Sequence, residues 1–199
     1  MSVYASWVHG NSALLERTGA LNATGKASVL PAFNGNPGDI VDLGGSAAAA
    51  CLRLGMSARF VVYDSGSQNL PKSGDFWCHY AIPTTVIVAD RRAEADTVLI
   101  NYESSDISAL SIAAVHVWDG NKRIFINDSP PASADGFNGG IPKFILNPSV
   151  NPNLARIFAG DIQRRPIFFG VGVSLLIRAR EAKDDFLEIR SVGIDFQVP

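Results

Sequence analysis

Every histidine of the chain lies two residues from a tryptophan. The three pairs are Trp7 with His9, Trp77 with His79, and His116 with Trp118. In a β-strand, residues i and i+2 point to the same face of the sheet, so each pair would form one local patch of indole and imidazole. This geometry follows from the strand repeat alone. Whether the three pairs form one site depends on where their strands lie in the sheets.

Three histidines on neighbouring strands would make one kind of chemical site. His9, His79 and His116 would hold a zinc ion and leave its fourth position open for Lewis-acid chemistry. The protein would then be a metal-dependent hydrolase or lyase. Neither His-x-His nor HExxH spacing is present to support this hypothesis. The sequence favours a plainer interpretation, in which Trp and His are half-buried and each polar tip finds a hydrogen bond.

The tryptophans and the turn-rich loops also suit ligand binding without catalysis. In a lectin-like module, sugars would stack on exposed indole faces of Trp7, Trp77 or Trp118. The loops at 64–75 and 127–140 are rich in Asp, Asn and Gly, which is typical of calcium or sugar sites on rigid scaffolds and equally typical of ordinary turns.

The carboxylates give weaker signals. Asp119 and Asp128 follow strand candidates and are expected to cap turns. Asp195 alternates with apolar residues in the last strand candidate. If Asp195 is buried, it needs a partner, and the sequence offers three arginines for an ion pair. These candidates are Arg178, Arg180 and Arg190.

Several function classes lack support in the sequence. There is no GxSxG, GxxxxGK[ST] or helix-opening GxGxxG motif. The formal charge is −2, from 17 basic and 19 acidic residues, which argues against nucleic acid and membrane partners. The N-terminus lacks a secretory pattern, and Cys51 and Cys78 are too few for a disulfide framework. We therefore expect a cytoplasmic protein with two buried free thiols.

The elements that must position these residues are all predicted to be strands. Residues 1–199 are predicted to form one domain. Period-two segments fall at 3–9, 58–63, 76–82, 86–89, 97–103, 111–118, 123–127, 144–146, 167–178 and 187–198. The sequence Asp119-Gly120-Asn121 predicts a tight hairpin, and both chain ends are expected to pair as strands. The fold class is therefore all-β, a two-sheet antiparallel sandwich of jelly-roll type. A short helix near 46–54 is the alternative for the alanine-rich segment.

Five stretches of the sequence resemble a family of small, mostly bacterial proteins of unknown function. They are YASWVHGN at 4–11, FWCHYAIPTTVIV at 76–88, VHVWDGNKRI at 115–124, FFGVGVS at 168–174 and SVGIDF at 191–196. The resemblance implies an all-β fold and offers no activity, cofactor or catalytic residue to carry over. Segments 20–55 and 130–160 look unlike the family pattern, which predicts an added element there.

The leading hypothesis is a non-enzymatic β-sandwich that binds a ligand or assembles with itself. Apolar composition and low charge predict a homo-oligomer in which neighbouring copies cover edge strands and exposed aromatics. The ligand would be a small molecule or a carbohydrate. The three-histidine metalloenzyme and the lectin-like module are the alternatives, and the sequence identifies no cofactor.

Overall fold

The computed structural model describes residues 2–16, 40–64, 66, 70–130 and 155–198. Within them the strands are β1 (Ser2–His9), β2 (Leu14–Leu15), β3 (Ile40–Gly44), β4 (Ala47–Leu54), β5 (Ser57–Asp64), β6 (Lys72–Ile82), β7 (Ile87–Val88), β8 (Arg91–Arg92), β9 (Glu94–Ser104), β10 (Leu110–Asp119), β11 (Lys122–Asn127), β12 (Ala155–Pro166), β13 (Val171–Ala182) and β14 (Phe186–Val198). The one helical element in these residues is a 3-10 turn, Gly10–Ser12.

Two antiparallel sheets carry the fold. The seven-stranded sheet has the order β12-β9-β14-β5-β4-β3, with β1 added beside β14, and the five-stranded sheet has the order β11-β10-β13-β6-β2. The four-strand sets β5-β14-β9-β12 and β6-β13-β10-β11 are the two sheets of a jelly roll. The predicted fold class, an all-β two-sheet sandwich of jelly-roll type, is confirmed.

The core lies between the inner faces of the two sheets because apolar residues alternate along the strands. On β13, Val173, Leu175 and Ile177 point inward and are fully buried. On β6, Phe76 and Cys78 do the same. Burial of each large side chain contributes about 1.5–3 kcal/mol, and the alternation leaves the even-numbered residues of β13 on the outer face.

Both chain ends form paired strands, as predicted, and they pair with each other. Strand β1 pairs antiparallel with the second half of β14, with Ser2 opposite Val198 and His9 opposite Ser191. The ring of Tyr4 stacks on Phe196 at 5.1 Å between centroids. The predicted hairpin is also confirmed, because β10 and β11 pair across a turn in which Gly120 has φ +58°.

Cys51 and Cys78 are free and buried, as expected. Burial raises the pKa of the Cys78 thiol well above its ordinary value, and the nearby Cys51 raises it further. The Cys78 thiol therefore stays protonated, and both cysteines are buried among apolar residues. No helix in the described part of the chain is long and apolar enough to cross a membrane.

The alternative of a helix near 46–54 is wrong, because this segment is β4, paired with β3 on one side and β5 on the other. Alanine favours helices in isolation, but two flanking strands complete its backbone hydrogen bonds here. The sequence also misses β3, β12 and the two-residue strands β2 and β8, and of 86–89 only Ile87–Val88 forms a strand. The predicted strand at 144–146, and most of the segments 20–55 and 130–160, lie outside the described residues.

The strand predicted at 167–178 has the right length but is displaced, because β13 has 12 residues and runs from Val171 to Ala182. Strand β13 begins at Val171, and residues 167–170 form a loop. The cause is Asp119 at the end of β10, whose carboxylate accepts backbone N–H bonds from Phe168, Phe169 and Gly170 at 2.9, 2.8 and 3.1 Å. Asp119 therefore caps a turn, as predicted, but the turn belongs to another part of the chain.

Candidate functional site

The Trp–His pairs lie on the outer faces of both sheets. Two of them share the five-stranded sheet, Trp77 with His79 on β6 and His116 with Trp118 on β10. The β1 pair, Trp7 with His9, lies on the seven-stranded sheet. Two of the three pairs therefore converge, and the third faces different surroundings.

A polar row crosses the middle of the five-stranded sheet. His116 lies opposite Ser174 of β13, and Ser174 lies opposite His79 of β6. His79 Nδ1 is 2.8 Å from Ser174 Oγ, and His79 Nε2 is 3.1 Å from Glu16 Oε2. Because the Glu16 carboxylate accepts, His79 Nε2 carries a hydrogen, and in the tautomer protonated only at Nε2 the Nδ1 atom accepts a hydrogen bond from the Ser174 hydroxyl.

His116 is the aromatic centre of this face. Its Nε2 lies 2.6 Å from Asp128 Oδ1, and its ring is 4.9 Å from the Trp77 ring and 6.4 Å from the Trp118 ring between centroids. The Arg123 guanidinium lies 5.6 Å from the Trp118 ring centroid. Strand β13 separates β10 from β6, so the Trp77–His116 contact reaches across the strand that carries Ser174.

An open trough lies beside Trp118. In register with Trp118 come Gly172 on β13 and then Ala81 on β6, which are both small. A Cβ placed on Gly172 would meet only the Tyr80 carbonyl oxygen, at 3.8 Å. We call this space the β13 trough: Gly172 and Ala81 form its floor, Trp118 one end, and the Ser174–His79 row one side.

The β1 pair also faces a glycine and a serine across the ladder, but no open space lies above its glycine. Trp7 lies opposite Gly193 and His9 opposite Ser191, both on β14. A Cβ placed on Gly193 would overlap the Trp7 ring, so the indole lies over the glycine. One face of Trp7 is therefore used by the protein, although 43% of the residue is exposed.

The predicted three-histidine metal site is not assembled by this topology. His9 belongs to the seven-stranded sheet, whereas His79 and His116 belong to the other sheet, where hydrogen bonds to Glu16 and Asp128 hold their rings. Among the described residues, no group of three or more His, Cys, Asp or Glu side chains could hold a metal ion.

The ion pair predicted for Asp195 is also wrong. Arg178 and Arg180 pair with Asp75, and Arg190 pairs with Glu103. Burial raises the pKa of Asp195 above its ordinary value, and the charge of Asp96 raises it further. The three arginines reach acids on neighbouring strands instead.

The hydrogen-bonded series Glu16, His79 and Ser174 has the order of an acid, a base and a nucleophile. Acyl transfer also needs N–H donors aimed at a developing oxyanion. Strand β13 is central, so its backbone N–H groups around Ser174 are used in the ladders with β10 and β6. The arrangement is therefore better suited to binding than to acyl transfer.

Sequence reasoning found the aromatic residues of the site and missed its floor and its polar partners. Gly172 and Ser174 alternate in GVGVS, and this pattern could have indicated one face of a strand. Glu16 had no signal, because it follows β2, a strand of two residues. Comparison of the chain with protein-family models, curated proteins and solved structures found no match in any of the three. The resemblance to a bacterial family stays a prediction.

Proposed function

We propose that the chain is a binding module that takes a carbohydrate on the outer face of its five-stranded sheet. The single observation that carries this proposal is the β13 trough. It is open above Gly172, ends at the Trp118 indole and runs beside a row of hydrogen-bonding side chains. Jelly rolls include lectins, but fold alone does not carry a function, so the proposal depends on the trough.

The chemistry of the face suits a ring that carries hydroxyl groups. Trp118 and Trp77 are half-buried, so each offers part of an indole surface to the apolar face of a sugar. The His79 and His116 rings each bond to one oxygen of a carboxylate, Glu16 Oε2 and Asp128 Oδ1. Each carboxylate has a second oxygen that can accept a ligand hydroxyl.

The face is also organised before any ligand arrives. The Arg178 guanidinium donates to both carboxylate oxygens of Asp75 at 2.9–3.2 Å, one row beyond Trp77 and Leu176 on the same face. Together with the His79–Ser174 bond, these contacts link β6 to β13 through side chains. Binding would therefore require little ordering of side chains, which favours affinity.

A glycan array followed by titration tests the proposal. The labelled protein should bind at least one glycan, and the strongest should quench or shift tryptophan fluorescence with a Kd of about 0.1–1 mM. Gly172→Leu fills the trough where a Cβ has open space, so it should fold normally and weaken binding at least about tenfold. The absence of any bound glycan would refute the proposal, as would unchanged binding by Gly172→Leu.

Trp7 provides the matched control. Trp118→Ala should weaken binding at least about tenfold because it removes an indole from the trough. Trp7→Ala removes the same side chain from the other sheet and should leave the affinity unchanged. Equal losses in both variants would count against the five-stranded sheet as the site.

Self-assembly stays a prediction beside this proposal. The oligomer predicted from the low charge would not conflict with the trough, because sheet edges and the outer face of β13 are different surfaces. Light scattering at about micromolar concentration tests it, and a strict monomer would contradict it.

A further inference from the structure

The loop between β12 and β13 presents two phenylalanines to solvent. Phe168 is 55% exposed and Phe169 is 78% exposed, the largest exposed fraction among the large apolar residues described. The loop is held in shape, because the buried Asp119 carboxylate accepts three of its backbone N–H groups. The exposed rings are therefore displayed by a fixed turn.

Neighbouring elements extend this apolar surface. The Arg92 guanidinium lies 4.3 Å from the Phe168 ring centroid and donates to the Ile167 carbonyl at 2.8 Å. Ile87, which is also exposed, lies opposite Arg92 in the β7–β8 hairpin. On the other side, Phe169 packs against the backbone of Gly120. We call Ile87, Phe168 and Phe169 the aromatic tip.

Basic side chains accompany the aromatic tip. Arg165 is exposed two residues before Ile167, and Lys122 is exposed at the start of β11, directly after the turn that Phe169 contacts. Asp90 is the exposed acid of the β7–β8 hairpin, whereas the Asp119 carboxylate is buried and satisfied by backbone donors. Glu94, two residues from Arg92 and opposite Pro166, is a second, half-buried acid. Arg92, Arg165 and Lys122 therefore leave a small excess of positive charge around the three apolar side chains.

We propose that the aromatic tip is a docking site for a membrane surface that contains anionic phospholipids. Exposed phenylalanine rings on a fixed turn can be buried in a lipid bilayer, at the boundary between the headgroups and the acyl chains. The arginines and the lysine would then lie at the level of the lipid phosphates. The inference goes beyond the proposed function, because the tip lies at one end of the sandwich and the trough lies on a sheet face.

The sequence argued against a membrane partner and did not indicate this surface, for two reasons. The net charge of −2 describes the whole chain, whereas lipid attraction depends on charge within about 10 Å of the surface. The two phenylalanines were also predicted inside a strand, where one of them would point into the core.

Sedimentation with sucrose-loaded vesicles tests the proposal with the full chain. Vesicles of phosphatidylcholine with about 30% phosphatidylserine should bind the protein in about 0.1 M salt, and pure phosphatidylcholine vesicles should bind it at least about fivefold more weakly. Phe168→Ala with Phe169→Ala should weaken binding to the anionic vesicles at least about tenfold. Arg165→Ala with Lys122→Ala should weaken it by about threefold to tenfold.

Met56→Ala is the matched control. Met56 is 64% exposed in the turn between β4 and β5, so the substitution removes an exposed apolar side chain elsewhere on the surface. It should bind anionic vesicles like the wild type, and all variants should keep the wild-type melting temperature. The proposal fails if the wild type does not sediment with anionic vesicles or if the double phenylalanine variant binds equally well. It also fails if light scattering finds a dimer that the same variant dissociates, because a second copy would then cover the tip.

Discussion

In β1 and in β10, a tryptophan faces a glycine across the ladder and the histidine two residues away faces a serine. The partners are Gly193 and Ser191 for the β1 pair, and Gly172 and Ser174 for the β10 pair. The residue types are identical, yet the Trp7 ring covers Gly193 and the space above Gly172 is open. The cross-strand pair therefore does not by itself decide whether a surface is available to a ligand.

The difference comes from the neighbouring strands. Strand β1 pairs with β14 alone among the described strands. Strand β10 lies between β11 and β13, and β6 follows beyond β13. His116 therefore receives Asp128 from the end of β11 and Trp77 from β6, and Ser174 receives a second histidine. Side chains from additional strands give the β10 pair its fixed geometry.

Substitution of the two glycines should give the largest difference in the free energy of unfolding. Gly193→Ala should lower the free energy of unfolding by about 1–3 kcal/mol, because its Cβ displaces the Trp7 ring. Gly172→Ala should be neutral or raise the free energy of unfolding by about 0.5 kcal/mol, because its Cβ enters open space and alanine has a lower entropy cost in a strand. Urea denaturation of both variants measures this.

Equal changes in the two glycine variants would break the comparison. A loss at Gly172 as large as that at Gly193 would mean that the trough is filled by part of the protein. An unchanged Gly193→Ala would mean that the Trp7 ring moves aside without loss of packing.

Substitution of His116 and of His9 should give a smaller difference in the free energy of unfolding. His116→Ala removes the bond to Asp128 and the ring contacts with Trp77 and Trp118, and should cost about 1–2 kcal/mol of unfolding free energy. His9 is exposed at the end of β1, so His9→Ala should cost less than about 0.5 kcal/mol. Thermal or urea unfolding distinguishes the two, and a larger cost at His9 would contradict the account.

Substitution of Asp195 should change the free energy of unfolding least, and this change should depend on pH. It lies two residues from Gly193 on β14, opposite Ala5, and burial together with Asp96 raises its pKa. The folded state then binds a proton more tightly than the unfolded state, so this contribution stabilises the fold below the unfolded pKa and is lost as pH rises through the folded pKa. Asp195→Asn should raise the free energy of unfolding at pH 7 by a few tenths of a kcal/mol, and by less at about pH 4.

Measurement of unfolding across that pH range checks the sign. If Asp195→Asn is less stable than the wild type at neutral pH, the ionised carboxylate has a favourable partner. The face around the β1 pair would then resemble the face around the β10 pair, where Glu16 and Asp128 bond to histidines.

The fold was accessible from the sequence because apolar and polar residues alternate clearly along β6 and β13 and, between their register shifts, along β10 and β14. The sequence Asp119-Gly120-Asn121 is also a strong hairpin signal. Strand β4 was ambiguous, because AAAACLRL has no period-two pattern and its sheet position comes from β3 and β5. The loop between β12 and β13 could not be predicted from the local sequence. Its backbone N–H groups bind the carboxylate of Asp119, which is about 50 residues away in the chain.

The site was accessible only in part for the same physical reason. Local spacing identifies which Trp and His share a face, but strand order determines which pairs meet. That β13 lies between β10 and β6 follows from the jelly-roll topology, and without it Ser174 has no reason to be singled out. The openness of Gly172 and the covering of Gly193 depend on side-chain orientation, which the pattern of residue types does not encode.

The most direct test of the central claim is the response of the three indole N–H signals in ¹H–¹⁵N NMR spectra during titration with the strongest glycan from the array. We predict that the Trp118 and Trp77 signals shift with a common Kd, while the Trp7 signal stays in place. A shift of Trp7 alone, or of none of the three, would contradict the assignment of the ligand site to the β13 trough.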